Sequence, residues 1–168
     1  EGQWTTMTTA DGLVHDHVRV ICHTRDGALW FGTRNGISRS HEGAFTPVAG
    51  LDSALTGVLV TDIHEGPGAD LWIASDGAMV WRHDASGLLR QFTRRDGLGH
   101  QRVWGLHQDS GGTLWAATQI GLSYATDEAL DGSGPAFQTP DAVFNEIYTD
   151  VFQAGDGSVW SSTAGQGV

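Results

Sequence analysis

Apolar and polar positions alternate along this chain in short runs, and the runs recur. In "GALWFGTRNGISR" (27–39), Leu29, Trp30 and Phe31 precede a polar turn that contains glycine, and Ile37 follows. That is the pattern of a β-hairpin, with one strand ending at Thr33 and the next beginning near Ile37. It returns as "ADLWIASDGAMV", "GTLWAATQIGLS" and "GSVWSSTAGQGV". The aligned tryptophans, Trp30, Trp72, Trp115 and Trp160, lie 42, 43 and 45 residues apart.

Other registers repeat with them. The residue before each Trp is aliphatic: Leu29, Leu71, Leu114 and Val159. Two after come the small Gly32, Ala74, Ala117 and Ser162, and three after the hydroxyls of Thr33, Ser75, Thr118 and Thr163. Nine before stand Ile21, Ile63, Leu106 and Val151, and twelve before Val18, Val60, Val103 and Tyr148. A period of about 40–50 residues with four strand-like runs per copy predicts an all-β fold, a β-propeller of four-stranded blades. In each blade an apolar run such as "VRVICH" is the innermost strand and the Trp strand is second. A short third strand follows Gly36 or Gly121, and an outer strand carries Trp4, Phe45, Phe92 or Phe137. Asp11-Gly12 and Asp96-Gly97 mark turns into the next blade.

The phase of the repeat matters. The chain opens on an outer strand, residues 2–8, and closes as a third strand begins. One propeller unit over 1–168 is expected, its N-terminal strand pairing with the C-terminal blade so that no sheet edge stays exposed. Half of an eight-bladed ring completed by a homodimer, or a segment of a longer propeller, are the alternatives.

Composition agrees and excludes some functions. The 24 glycines suit tight turns and disfavour helices. A formal charge of −11 and the absence of lysine argue against binding nucleic acid or anionic lipid through a basic surface. Cys22 is the single cysteine, so no internal disulfide forms, and its apolar run predicts a buried, inert thiol. No segment is long and apolar enough to span a membrane, so no membrane contact is expected from these residues.

Copies of the form "DGL … V..I … DG.LW.GT..G(I/L).R", best seen in "DGLVHDHVRVICHTRDGALWFGTRNGISR", resemble the two-component regulator propeller repeat. The third copy, "HQDSGGTLWAATQIGLS", matches well; the second and fourth depart, with "GPGADLWIASDGAMV" and "SST". The resemblance implies a ligand-binding sensor domain, extracytoplasmic, of the kind found in hybrid histidine kinases. Trp-Asp repeats and the Asp-box do not fit, since no Trp-Asp pair occurs and Asp26 abuts Gly27. Streptogramin lyases are nearer cousins.

The Trp register is read as scaffold, because an aliphatic and a small residue accompany each Trp. Binding positions in a repeat protein should vary, and the start of each inner strand does. Fifteen before the Trp lie His15, Gly57, His100 and Asn145; eleven and ten before lie Arg19-Val20, Thr61-Asp62, Trp104-Gly105 and Thr149-Asp150. The candidate ligand-binding set at the channel mouth is His15, His17, Arg19, Thr61, Asp62, His100, Arg102, Trp104, Tyr148 and Asp150. It offers both charges, polar groups and aromatic faces, which suit a small molecule or glycan fragment. His15 and His17 project to one side of an extended segment, with His100 in the register of His15, but that spacing is weak grounds for a metal and none is assigned. His64 and His107, eight before the Trp with Cys22 and Phe152, read as half-buried inner-strand residues. No nucleophile elbow or phosphate loop occurs, so no catalytic residue or cofactor is assigned. The expected function is a non-catalytic sensor; the alternatives are a lyase using a channel-mouth histidine base with a cation, and a self-assembling structural module.

Overall fold

A computed structural model describes residues 4–77, 79–132, 134–143, 145–165 and 167. Four antiparallel sheets follow one another along the chain. Blade 1 contains β1 (Val18–His23), β2 (Leu29–Thr33), β3 (Gly36–His41) and β4 (Ala44–Thr46) in that order across the sheet. Blade 2 repeats this with β5 (Leu59–Glu65), β6 (Leu71–Asp76), β7 (Met79–His83) and β8 (Leu89–Phe92). Blade 3 has β9 (Val103–Gln108), β10 (Leu114–Thr118) and β11 (Leu122–Ala125), and its outer strand is reduced to a bridge between Tyr124 and Gln138. Blade 4 has β12 (Tyr148–Gln153) and β13 (Val159–Thr163), with a bridge from Thr163 to Gly167 where the third strand begins. Two five-residue helices, α1 (Leu51–Leu55) and α2 (Asp127–Asp131), lie outside the sheets. The fold is the β-propeller the repeat predicts.

Local chemistry explains the turns. Thr8 and Thr93 each cap a single 3-10 turn, and Asp11 and Asp96 return the bond to the cap N–H. Gly12 and Gly97 then take left-handed backbone at φ 116 and 94. A side chain at Gly12 would also press on Phe45, and one at Gly97 on the Phe137 carbonyl, so each turn is pinned to an outer-strand aromatic. The hydroxyl register closes the turn between second and third strands. Thr33 donates to the Gly36 carbonyl, Ser75 to Met79, Thr118 to Gly121 and Thr163 to Gly167, at 2.7–2.9 Å.

Each blade has a leading face toward the preceding blade and a trailing face toward the next. The Trp and the residue eight before it pair across strands on the trailing face, as Cys22 with Trp30 and His64 with Trp72. Trp30 packs with Val60, Ile63 and Leu71 of blade 2. Trp72 packs with Val103, Leu106 and Leu114 of blade 3, and Trp115 with Val151, Tyr148 and Val159 of blade 4. The small register permits this approach: a Cβ on Gly32 would lie 2.6 Å from Val60 Cγ1. Trp30, Trp72 and Trp115 are scaffold, as expected, and Trp160 is exposed on the last blade.

The inner strands β1, β5, β9 and β12 pack in sequence, and no comparable contact joins β12 back to β1. The four blades form an arc. Residues 4–8, the described part of the segment expected as an outer strand over 2–8, lie in no sheet, and Trp4 is fully exposed.

Candidate functional site

All four inner strands break their pairing at one register. The ladder shifts between Val18 and Val20, between Val60 and Asp62, at Val103 to Gly105, and between Tyr148 and Asp150. Arg19, Thr61, Trp104 and Thr149 are therefore the extra residues of four β-bulges, devices that re-aim side chains and terminate regular pairing. The cause lies in the sequence. The registers twelve and nine before the Trp both face the preceding blade, as Val60 and Ile63 do toward blade 1 and Val103 and Leu106 toward blade 2. An odd spacing puts two residues on one face only if a residue is inserted between them.

The bulges gather part of the predicted site. Thr61 is buried, and its hydroxyl donates to the Val103 carbonyl at 2.5 Å. Asp62 accepts from Ile63 N–H on one oxygen at 2.8 Å and from Leu106 N–H on the other at 2.7 Å. Thr61 and Asp62 thus clip blade 2 to the inner strand of blade 3. Burial pushes the Asp62 carboxyl up to about 6, the two N–H donors oppose this, and the charge of Asp150 adds to it. The two carboxylates flank Gly105, whose Cβ position would lie 3.0 Å from Asp150 Oδ1. Asp150 itself is exposed and accepts from Val151 N–H at 2.8 Å. Trp104 is half-buried, and its indole N–H is shielded from water without a hydrogen-bond partner among the described residues.

Other candidates serve the scaffold. Nδ1 of His15 accepts from His17 N–H at 2.9 Å, and Nδ1 of His100 accepts from Arg102 N–H at 3.0 Å. Both imidazoles act as turn acceptors two residues from the donor. With Nδ1 occupied as acceptor, the neutral ring carries its proton on Nε2. Burial, then the charges of Arg94 and Arg102, hold His100 below the usual histidine range. Arg102 clamps Asp76 at 2.7 Å and Gln119 at 3.2 Å. Tyr148 packs in the interface between blades 3 and 4, in the register of Val60 and Val103. Arg19 and His17 are exposed at the first bulge, and the His17 carbonyl accepts from Arg34 N–H at 3.1 Å.

The inner-strand histidines have a structural part. His64 Nε2 accepts from Gln108 N–H of blade 3 at 3.1 Å, and burial, with His107 alongside, lowers His64 to about 4. Cys22 is half-buried, and burial raises its thiol above the usual range. Among the described residues no three His, Cys, Asp or Glu side chains are gathered to hold a metal ion.

A concavity of about 540 Å³ opens between blades 1 and 2 beside the β1–β2 turn. Its charges are already matched: Arg39 meets Asp26 at 2.9 Å and lies over the Trp30 ring at 5.7 Å. The Thr24 hydroxyl and the Ala28 N–H, with smaller help from Arg39, hold Asp26 down to about 2.

Together the trailing-face tryptophans, the bulged inner strands and the closing hydroxyls define an arc of a β-propeller. A family model described as two component regulator propeller matches residues 12–35, within the first repeat. Among solved structures, the arc resembles the extracellular domain described as that of the hybrid two component system BT3049 from B. thetaiotaomicron. The identity is 19%, covering 92% of this chain and 21% of that one, with a TM-score of 0.75. A second extracellular domain from the same organism, of the system BT4673, is 22% identical over 94% of this chain and 22% of its own, with a TM-score of 0.73. Virginiamycin B lyase from Staphylococcus aureus is 20% identical over 87% of this chain and 49% of that one, with a TM-score of 0.60. At such identities the likeness establishes the fold alone. The chain spans about a fifth of the length of these extracellular domains. No characterised protein matches it significantly by sequence.

Proposed function

We propose that this arc belongs to an extracytoplasmic sensor propeller of a two-component system, and that it binds a small molecule or glycan fragment at the bulged ends of its inner strands without transforming it. The family of the repeat and the likeness to extracellular domains of such systems support the sensing role and the location. One observation carries the binding role. The bulge residues Arg19, Thr61, Trp104 and Thr149 are not uniform, and in blade 3 the bulge holds an indole N–H with no acceptor among the described residues. An unmet buried donor costs about 1–3 kcal/mol, which a ligand oxygen reaching it would return. Asp62 and Asp150 stand on the two inner strands packed against its own, and Arg19 adds a cation at the bulge of blade 1.

The lyase reading is disfavoured by the two channel-mouth histidines. A general base needs an accessible lone pair, and in His15 and His100 the Nδ1 lone pair already holds a backbone N–H. The test is a thermal-shift screen of mono- and oligosaccharides and small carboxylates, with product analysis of every hit. A ligand at a hundred times its Kd should stabilise the fold by about 2.7 kcal/mol. Trp104→Phe, which keeps the ring and removes the N–H, should weaken that ligand about tenfold. Turnover of the ligand, or unchanged affinity in Trp104→Phe, would refute the reading.

A further inference from the structure

The concavity between blades 1 and 2 has a counterpart between blades 2 and 3, and the counterpart is filled by the chain itself. Arg39 pairs with Trp30 across its hairpin as Arg82 does with Trp72. Facing them, His83 pairs with Leu71 as Ala125 does with Leu114. The same registers therefore wall both spaces. Between blades 2 and 3 the connection from third to outer strand runs for twelve residues, 126–137, and folds as α2. Leu130 of α2 is buried in one apolar cluster with Trp72 and Phe92, and the Asp131 carboxylate accepts from Nη1 of Arg82. The Trp72 indole N–H donates to Gln108 Oε1 at 3.1 Å.

Between blades 1 and 2 the corresponding connection has five residues, 84–88, and a groove of about 540 Å³ stays open. Its donors are not spent. Arg39 uses Nη2 on Asp26 at 2.9 Å, while Nη1 has only the Thr46 hydroxyl at 3.3 Å. The indole N–H of Trp30 and the imidazole of His83, rings 6.4 Å apart, have no hydrogen-bond partner among the described residues. The Asp26 pair leaves room for a second carboxylate, since Arg82 holds Asp70 and Asp131 together. Every wall of the groove comes from blades 1 and 2 and the segment joining them.

We propose that this groove is a separate binding site for a small monocarboxylate with an apolar body, held as its counterpart holds Asp131 and Leu130. The carboxylate accepts from Arg39 Nη1 and the apolar body covers Val48 and Leu71, with the Trp30 indole and His83 left for a further ligand oxygen. The volume suits a ligand of that size. Glu65 and Asp84 already hold donors of their own, the Arg25 N–H and the N–H groups of Ser86 and Leu88, and their charge disfavours a second carboxylate on the ligand. The groove lies at the β1–β2 turn, at the other end of the inner strands from the bulges, and does not rest on what the bulges bind.

Calorimetric titration with isocaproate, followed in parallel by NMR of the indole N–H groups, tests it. Isocaproate should bind one-to-one in the millimolar range and move the Trp30 indole resonance. That of Trp72, already bonded to Gln108, should stay still. Isocaproamide and the dianion adipate should each bind about tenfold more weakly or worse. Arg39→Gln should lose about tenfold in affinity. Ala85→Leu, at an exposed position lining the groove, should block it as Leu130 fills the counterpart, with every charge left in place. Trp104→Phe should bind isocaproate as the parent does, which separates this site from the bulges. Absence of saturable binding, an amide that binds as tightly as the acid, binding that survives in Arg39→Gln or Ala85→Leu, or binding lost in Trp104→Phe, each overturns the proposal.

Discussion

A single atom decides several positions in this fold. Thr118 is fully buried, and its Oγ1 donates to the Gly121 carbonyl at 2.7 Å while accepting from Ile120 N–H at 3.2 Å. Thr118→Val keeps the volume and removes both bonds, leaving a turn N–H without its partner. It should cost about 1–3 kcal/mol in urea denaturation. Gly32 is the steric counterpart. A methyl there would sit 2.5 Å from Val20 Cγ1 and 2.6 Å from Val60 Cγ1, wedging blade 1 from blade 2. Gly32→Ala should cost about 1–3 kcal/mol, while Gly68→Ala, whose Cβ position meets nothing within 4 Å, should stay within about 0.5 kcal/mol. Both roles were legible in the alignment, because a register kept small or kept hydroxylic across four copies has a shared geometric cause. The fate of Tyr148 was legible too, since its register is otherwise Val60 and Val103. Its chemistry as an aromatic drew it into the candidate site, and its place in the repeat put it in the interface. His15 and His100 could not be assigned from the sequence, because a ring nitrogen accepting a backbone N–H leaves no compositional trace.

At the scale of the strand, the bulge was present in the sequence as two aliphatic registers three apart. That spacing contradicts the two-residue period of a regular strand and needs an inserted residue between Val60 and Ile63. The helices α1 and α2 fill connections whose sequences differ from blade to blade, so the repeat carried no information on them. The bulged strand β5 also sets the response to acid. The His64 pKa falls from 6.5 to about 4 on folding, so between those values the unfolded chain binds more protons and stability declines as pH drops. The Asp62 pKa rises from 3.8 to about 6, so between those values the folded chain binds more protons and stability climbs as pH drops. The two slopes oppose one another from about pH 6 to 4. Asp62→Asn should unmask the histidine and give a stability that declines steeply on acidification through that window. His64→Gln, which retains an acceptor for the Gln108 N–H, should reverse the slope. Urea midpoints at half-unit steps of pH read both outcomes; parallel profiles for parent and variants would show that neither group titrates as assigned.

For the molecule as a whole, the period of the repeat determines the blade, but the sequence contains no term for the angle between blades. Whether the arc closes on itself depends on curvature and on what covers its ends, and β12 makes no contact with β1 comparable to those between successive inner strands. An open arc of repeats has a graded stability, because an inner blade gains two interfaces and an end blade one. In blade 2, Val60, Ile73, Ala74 and Val80 are wholly buried; in blade 4, Val151 is the one residue of β12 and β13 that is buried. Hydrogen exchange at low protein concentration should therefore find the amides of β6 and β10 slowest and those of β13 fastest, by at least about tenfold, with β1 and β2 between. Uniform protection along the chain would mean that the arc opens as one cooperative unit.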